Sequence, residues 1–277
     1  MLKKRKRAED VSLLESREIL GDKLSFAASE AYKLLRANLM FSLPDEAGCK
    51  IIGVTSSLRK EGKTTTAINM AYVMAQTGRR VVLIEGDLRL PTIAKRLKLK
   101  SKPGVSNVLA GQCRGVDILQ TSPLLPGLTI VTAGDIPPNL ADLLGSEQMR
   151  QLLKMLAENF DVIIVDLPPI TAVSDALVVS KLLNGIIIVV RQDYCDKATL
   201  DETVRQVQFA DAKILGFVVT GSDILEKSYK RYSRYKKYNS GKYGYDYSYG
   251  YSYGYEYGRR KKHHTKTDEK TVTPVKK

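Results

Sequence analysis

Cysteine is scarce. Cys49, Cys113 and Cys195 are the three in 277 residues, and their spacing matches neither a disulfide framework nor a metal-ligand pattern. Long apolar runs are missing too: Ile186–Val190 falls far short of the ~20 residues a membrane-spanning helix needs. No secretory signal is visible, because Met1-Leu2-Lys3-Lys4-Arg5-Lys6-Arg7 leads into Ala8-Glu9-Asp10 and not into an apolar stretch. These absences predict a cytoplasmic protein. From Lys227 to Lys270 there is no Val, Ile, Leu, Phe or Met. Such a segment has nothing with which to bury a core, so residues 224–277 are expected to be disordered.

The remainder is ordinary for a globular chain. Hydrophobic residues make up 43%, enough for one large domain with appendages. The formal net charge of +14 is concentrated in the first seven residues and beyond about Lys227. Such a balance favours an anionic surface as a partner: membrane lipid, nucleic acid or an acidic protein tail. Residues 1–24 read as a charged lead-in and 25–223 as the folded domain. Twelve of the fifteen tyrosines lie between Tyr229 and Tyr257.

Within the domain, apolar runs alternate with helical patterns. Strands are expected at Ile51–Thr55, Val81–Glu85, Leu128–Thr132, Val162–Asp166, Gly185–Arg191 and Ile214–Thr220. Helices are expected at Thr64–Thr77, Gln148–Asn159 and Leu200–Ala210, with a further one over about residues 25–42. Near-continuously apolar strands separated by helices indicate an α/β, doubly wound, mostly parallel sheet covered on both faces. In the N-terminal helix Ala31, Leu34, Leu35 and Leu39 share a face, and Glu30, Lys33 and Arg36 recur at threes beside them.

Between the first strand and its helix lies Ser57-Leu58-Arg59-Lys60-Glu61-Gly62-Lys63-Thr64, followed by Thr65. A strand, a tight loop and a helix in that order are the setting of a phosphate-binding P-loop, here with Ser57 in place of the first glycine. Backbone N–H groups and the helix N-terminus hold anionic oxygens there. Lys63 is placed to reach the β/γ-phosphates of a nucleotide, and the Thr64 hydroxyl to ligate Mg²⁺. Two other strands end in carboxylates: Val81–Glu85 runs into Gly86-Asp87-Leu88-Arg89, and Val162–Asp166 into Leu167-Pro168-Pro169. Alternation along an extended chain sends Glu85 and Asp87 to one side. Singly, an acidic strand end reads as well as a helix cap; together they converge on the crevice beyond the carboxyl ends of the strands.

These motifs resemble those of the bacterial tyrosine kinases that control capsule and exopolysaccharide synthesis. Lys63 and Thr64 match the family's Walker A motif, Glu85–Arg89 its D-x-D-x-R motif, and Asp166-Leu167-Pro168-Pro169 its D-x-P-P motif. Glu30, Lys33 and Arg36 match its E-x-x-R-x-x-R oligomerisation motif. Gly104–Gly111 and Pro137-Pro138-Asn139 also look like family segments. Four positions depart from the pattern: Arg59-Lys60 stand where Pro-Gly is usual, Glu85 where Asp is, Lys33 where Arg is, and Thr220 where a strand-end Asn often meets adenine.

The resemblance implies an ATP- and Mg²⁺-dependent protein-tyrosine kinase of the P-loop NTPase fold. Thr64, Asp87 and Asp166 would be its metal ligands, and Lys63, Glu85, Asp87 and Arg89 its catalytic groups. The implied phosphoacceptors are Tyr243, Tyr245, Tyr247, Tyr249, Tyr251, Tyr253, Tyr255 and Tyr257 of a neighbouring subunit in a ring. Other implied partners are protein substrates, a cognate tyrosine phosphatase and a membrane adaptor whose cytoplasmic tail recruits the kinase to the inner face of the membrane. Two other readings stand beside this one. Partition and septum-positioning ATPases share the architecture but carry a signature Lys where this chain has Leu58. A nucleic-acid-binding tail would stack bases on tyrosine, yet Tyr243–Tyr257 contains no Lys or Arg, and no nucleic acid is expected.

Overall fold

The computed structural model describes residues 21–43, 48–137 and 140–222. Most of the charged lead-in, Pro138-Asn139 and the tyrosine-rich tail with all of its expected phosphoacceptors lie outside the described residues.

A seven-stranded sheet forms the centre, in the order β3-β4-β2-β5-β1-β6-β7. Its strands are β1 (Lys50–Ser56), β2 (Val81–Glu85), β3 (Gln120–Thr121), β4 (Leu128–Val131), β5 (Val162–Asp166), β6 (Gly185–Arg191) and β7 (Ile214–Thr220). All neighbours pair in parallel except β3, which runs antiparallel to β4. The helices are α1 (Phe26–Ser42), α2 (Lys63–Ala75), α3 (Ile93–Leu97), α4 (Val105–Leu109), α5 (Leu140–Leu144), α6 (Glu147–Asn159), α7 (Asp175–Ser180) and α8 (Lys197–Phe209). This is the expected doubly wound α/β fold. All six expected strands are present, and the two-residue β3 joins them.

Both faces of the sheet are covered, which is why its central strands lack polar alternation. Side chains still alternate between two cores. In β5, Val162 and Ile164 point into one with Ile68 and Met74 of α2, while Ile163 and Val165 enter the other with Leu152 and Leu156 of α6. Burial of each such side chain is worth about 1.5–3 kcal/mol. Three of the four longer helices, α1, α6 and α8, start on side-chain caps: the Ser25, Ser146 and Asp196 side chains accept from Ala28, Met149 and Thr199 N–H. Each cap satisfies a donor that the first turn leaves free.

Helix α1 packs on α2 through Leu35 and Leu39, whereas Leu34 of the same expected face remains exposed. Gly21 is already part of the fold, its N–H donating to Asn69 Oδ1 at 2.9 Å. Register aligns the strand ends that matter most. Asp166 stands opposite Val54 of β1 on one side and Glu85 of β2 on the other. The P-loop, Glu85-Gly86-Asp87 and Asp166 therefore leave the sheet at one level.

Candidate active site

The loop after β1 folds by two local devices. Gly62, at φ +95°, starts α2, and a Cβ there would approach the Thr220 side chain at 3.3 Å. Lys60 also has a positive φ, +67°, in the left-handed region that glycine enters freely and other residues enter at a cost. Glu61 is fully buried and anchors the loop. Its Oε2 accepts from Leu58 N–H at 2.6 Å and its Oε1 from Arg191 N–H at 3.2 Å.

At the first turn of α2, Lys63 Nζ donates to Asp87 Oδ2 at 2.9 Å and lies 3.6 Å from Asp166 Oδ1. Burial alone would lower the Lys63 pKa, but the charges of Asp166 and Asp87 outweigh it and raise it. Asp166 moves up because it is buried, with Lys63 opposing the shift. Its Oδ1 makes no hydrogen bond. Thr64 is buried beside this group, and Arg96 Nη1 donates to Thr65 Oγ1 at 3.0 Å.

Three expected residues have commitments that spacing did not reveal. Strand β2 ends at Glu85, so period-two alternation does not carry on to Asp87. The chain turns at Gly86, whose N–H donates to the Asp166 carbonyl at 2.8 Å. A Cβ on Gly86 would lie 2.9 Å from that same oxygen. Glu85 is bound to backbone N–H groups. Its Oε1 accepts from Thr92 N–H and, at 2.6 Å, from Ile93 N–H, while Oε2 accepts from Ala133 N–H at 3.3 Å. It therefore caps α3 and ties down the loop after β4. Burial pushes its pKa up against these bonds. Asp87 is the member of the pair that faces Lys63, with its other oxygen accepting from Leu90 N–H at 3.1 Å.

Arg89 is held by Asp175 at the start of α7 through Nε at 2.8 Å and Nη2 at 3.1 Å. The Asp175 side chain is fully buried and that of Arg89 is 42% exposed. Nothing in the sequence flagged Asp175 or Arg191. On α1, Glu30 and Lys33 pair at 2.7 Å, while Arg36 Nη1 donates to the Val73 carbonyl at 2.8 Å. Arg36 thus secures α1 against the last turn of α2 in its own chain, where exposed carbonyls attract a cation.

A P-loop whose lysine is bracketed by carboxylates from the two strands beyond it defines a nucleotide-binding domain of the P-loop class. The AAA domain family matches residues 49–215. The chain is 34% identical over 200 residues to the tyrosine-protein kinase YwqD of Bacillus subtilis, covering 72% of this chain and 84% of that protein. It is 31% identical over 216 residues to the putative tyrosine-protein kinase EpsB of Ralstonia solanacearum, covering 78% of this chain but 28% of that protein. Among solved structures, the kinase domain of Escherichia coli tyrosine kinase ETK superposes with a TM-score of 0.66 at 28% identity, over 81% of this chain and 80% of that one. The chain belongs to the bacterial tyrosine-protein kinases of the capsule and exopolysaccharide type.

No cluster of three His, Cys, Asp or Glu side chains is spaced to hold a metal among the described residues. Mg²⁺ is usually bound by one or two carboxylates together with substrate phosphates and water. The buried Asp166 Oδ1 without a hydrogen bond is the kind of acceptor such an ion would use. Among the described residues no helix is long and apolar enough to cross a membrane.

Proposed function

We propose that this chain transfers the γ-phosphoryl group of Mg·ATP to tyrosines of its own C-terminal segment, in trans within an oligomer. The observation that carries the reading is Lys63 held between Asp87 and Asp166, at 2.9 and 3.6 Å, behind the P-loop. The loop N–H groups and Lys63 bind the phosphates. Thr64, Asp87 and Asp166 would hold Mg²⁺, which would supply charge neutralisation for the phosphates.

The phenol oxygen attacks γ-phosphorus as the bond to the departing ADP breaks. The phenolic proton passes to Asp87, the carboxylate nearest Lys63. An unperturbed phenol has a pKa of ~10, so a base at the attacking oxygen is needed near neutral pH. Arg89, fixed in direction by Asp175, stabilises charge on the transferring group. Glu85 serves by holding the α3 N-terminus and the loop after β4 in register, so that Asp87 stays opposite Lys63. Each added phosphate brings about −1.5 to −2 charges, so repeated transfer reverses the basic character of the tail and loosens the oligomer.

The membrane activators that partner the family supply the second half of the reading. A separate adaptor with a cytoplasmic tail recruits this kinase to the inner face of the membrane and completes the site. The test is a chain with all twelve tyrosines between Tyr229 and Tyr257 changed to phenylalanine. It is expected to keep ATP hydrolysis and lose self-phosphorylation. Undiminished phosphotyrosine in that variant would exclude the tail as acceptor.

A further inference from the structure

The loop from Ser57 to Thr64 has one glycine, Gly62, so glycine freedom contributes little to its shape. Its ties to two strand ends are more extensive. From β6, Arg191 N–H donates to Glu61 Oε1 at 3.2 Å and Arg191 Nη1 to the Lys60 carbonyl at 3.4 Å. From β7, Thr220 Oγ1 donates to the Glu61 carbonyl at 2.7 Å. Within the loop, Leu58 N–H donates to Glu61 Oε2 at 2.6 Å. The carboxylate at the centre of these bonds is fully buried. A buried anion beside a phosphate site opposes phosphate binding by simple Coulomb repulsion, so its presence calls for a compensating role.

We propose that the Glu61 carboxylate is a positioning residue that presets the phosphate-binding loop by clamping it to the ends of β6 and β7. The two oxygens serve two different backbone donors, one inside the loop and one on β6. This takes a side chain with two acceptor oxygens. A glutamine would aim its amide N–H₂ at one of the two N–H groups, donor against donor. Aspartate, a methylene shorter, does not span both. Through this clamp the loop and the two strand ends move as one body. Whatever contacts Arg191 or Thr220 from the crevice then also bears on the phosphate loop. The proposal rests on the nucleotide-binding reading above and assigns the side chain that sets its affinity.

The experiment measures Mg·ADP binding to the full chain by isothermal titration calorimetry, with the ATP dependence of phosphorylation alongside. Glu61→Gln is expected to bind Mg·ADP about tenfold more weakly or worse, the worth of one charge-assisted hydrogen bond. KM for ATP should rise more than kcat falls, because the residue shapes the loop without touching the reacting atoms. Thr220→Val keeps the shape, removes the hydroxyl that holds the Glu61 carbonyl, and should weaken binding in the same direction by less. If Glu61→Gln does not fold, Thr220→Val decides. Wild-type affinity in every variant that folds overturns the clamp. Failure of the wild-type chain to bind Mg·ADP overturns the nucleotide reading instead, so the two failures are distinguishable.

Discussion

Lys63 Nζ and Asp87 Oδ2 lie 2.9 Å apart, joining the first turn of α2 to the segment after β2. This bond brings the P-loop lysine and a carboxylate into one charge cluster, with Asp166 3.6 Å from the same ammonium. Removing the lysine leaves two buried carboxylates facing each other. Lys63→Met should therefore cost about 3 kcal/mol of folding stability near pH 7, in the range for breaking a buried pair.

The pH dependence of that cost has a definite sign. Burial raises the Asp166 pKa, and Lys63 opposes it, so without Lys63 the folded-state value rises further. A carboxyl with a raised folded-state pKa favours folding while it is protonated and loses that contribution as pH rises through the folded value. The penalty of Lys63→Met should thus shrink as pH falls from neutral toward the acidic range. Urea melts of both proteins across that range check it, and a penalty that grows on acidification would contradict the arrangement.

Lys60 offers a simpler test. It holds φ +67° without glycine's freedom, and its side chain is exposed. Lys60→Gly should stabilise the protein by roughly 0.5–1 kcal/mol, the left-handed strain being relieved and partly offset by glycine's unfolded-state entropy. A shift of the denaturation midpoint to lower urea would contradict it.

The bidentate contact of Arg89 with Asp175 predicts coupling between the two. In a double-mutant cycle with Arg89→Ala and Asp175→Asn, the interaction energy should be about 1 kcal/mol, limited by the exposure of Arg89. Arg89→Lys should recover little of it, since lysine has no planar fork to match the carboxylate. Strict additivity would mean that Asp175 does not orient Arg89.

Cys195 reports on Glu61. Burial raises the thiol pKa, and the Ser57 hydroxyl and the Glu61 and Asp196 charges act on it as well. The thiolate is the reactive form, so alkylation of Cys195 should be slow at neutral pH and speed up as pH rises past the usual thiol range. Glu61→Gln removes one of the causes that raise the pKa and should move that profile to lower pH. Peptide mass spectrometry separates Cys195 from Cys49 and Cys113, and an unmoved profile would place the carboxylate elsewhere.

Much of the fold was legible because the core strands are continuous apolar runs and the long helices carry periodicity or caps. The short helices α3, α4, α5 and α7 were not, since five or six residues give too little repeat to see. At the site, the P-loop and the two acidic strand ends stand out because each motif is local. The destinations of their side chains are not local. Arg89 meets Asp175 across 86 positions and Arg191 meets Glu61 across 130, and no spacing rule reaches that far. Glu85 was misleading for a related reason: the alternation that paired it with Asp87 holds only while the strand continues, and β2 stops at Glu85 itself.

The central claim is that this chain phosphorylates its own tyrosine cluster. The most direct measurement is incubation of the full chain with Mg·ATP, with and without the cytoplasmic tail of a membrane adaptor, followed by phosphosite mapping. Lys63→Met and Asp87→Asn serve as controls, each checked for folding by circular dichroism. The account predicts phosphotyrosine within Tyr229–Tyr257 in the wild-type chain and none in either folded control. ATP hydrolysis without phosphotyrosine, adaptor tail present, would contradict it.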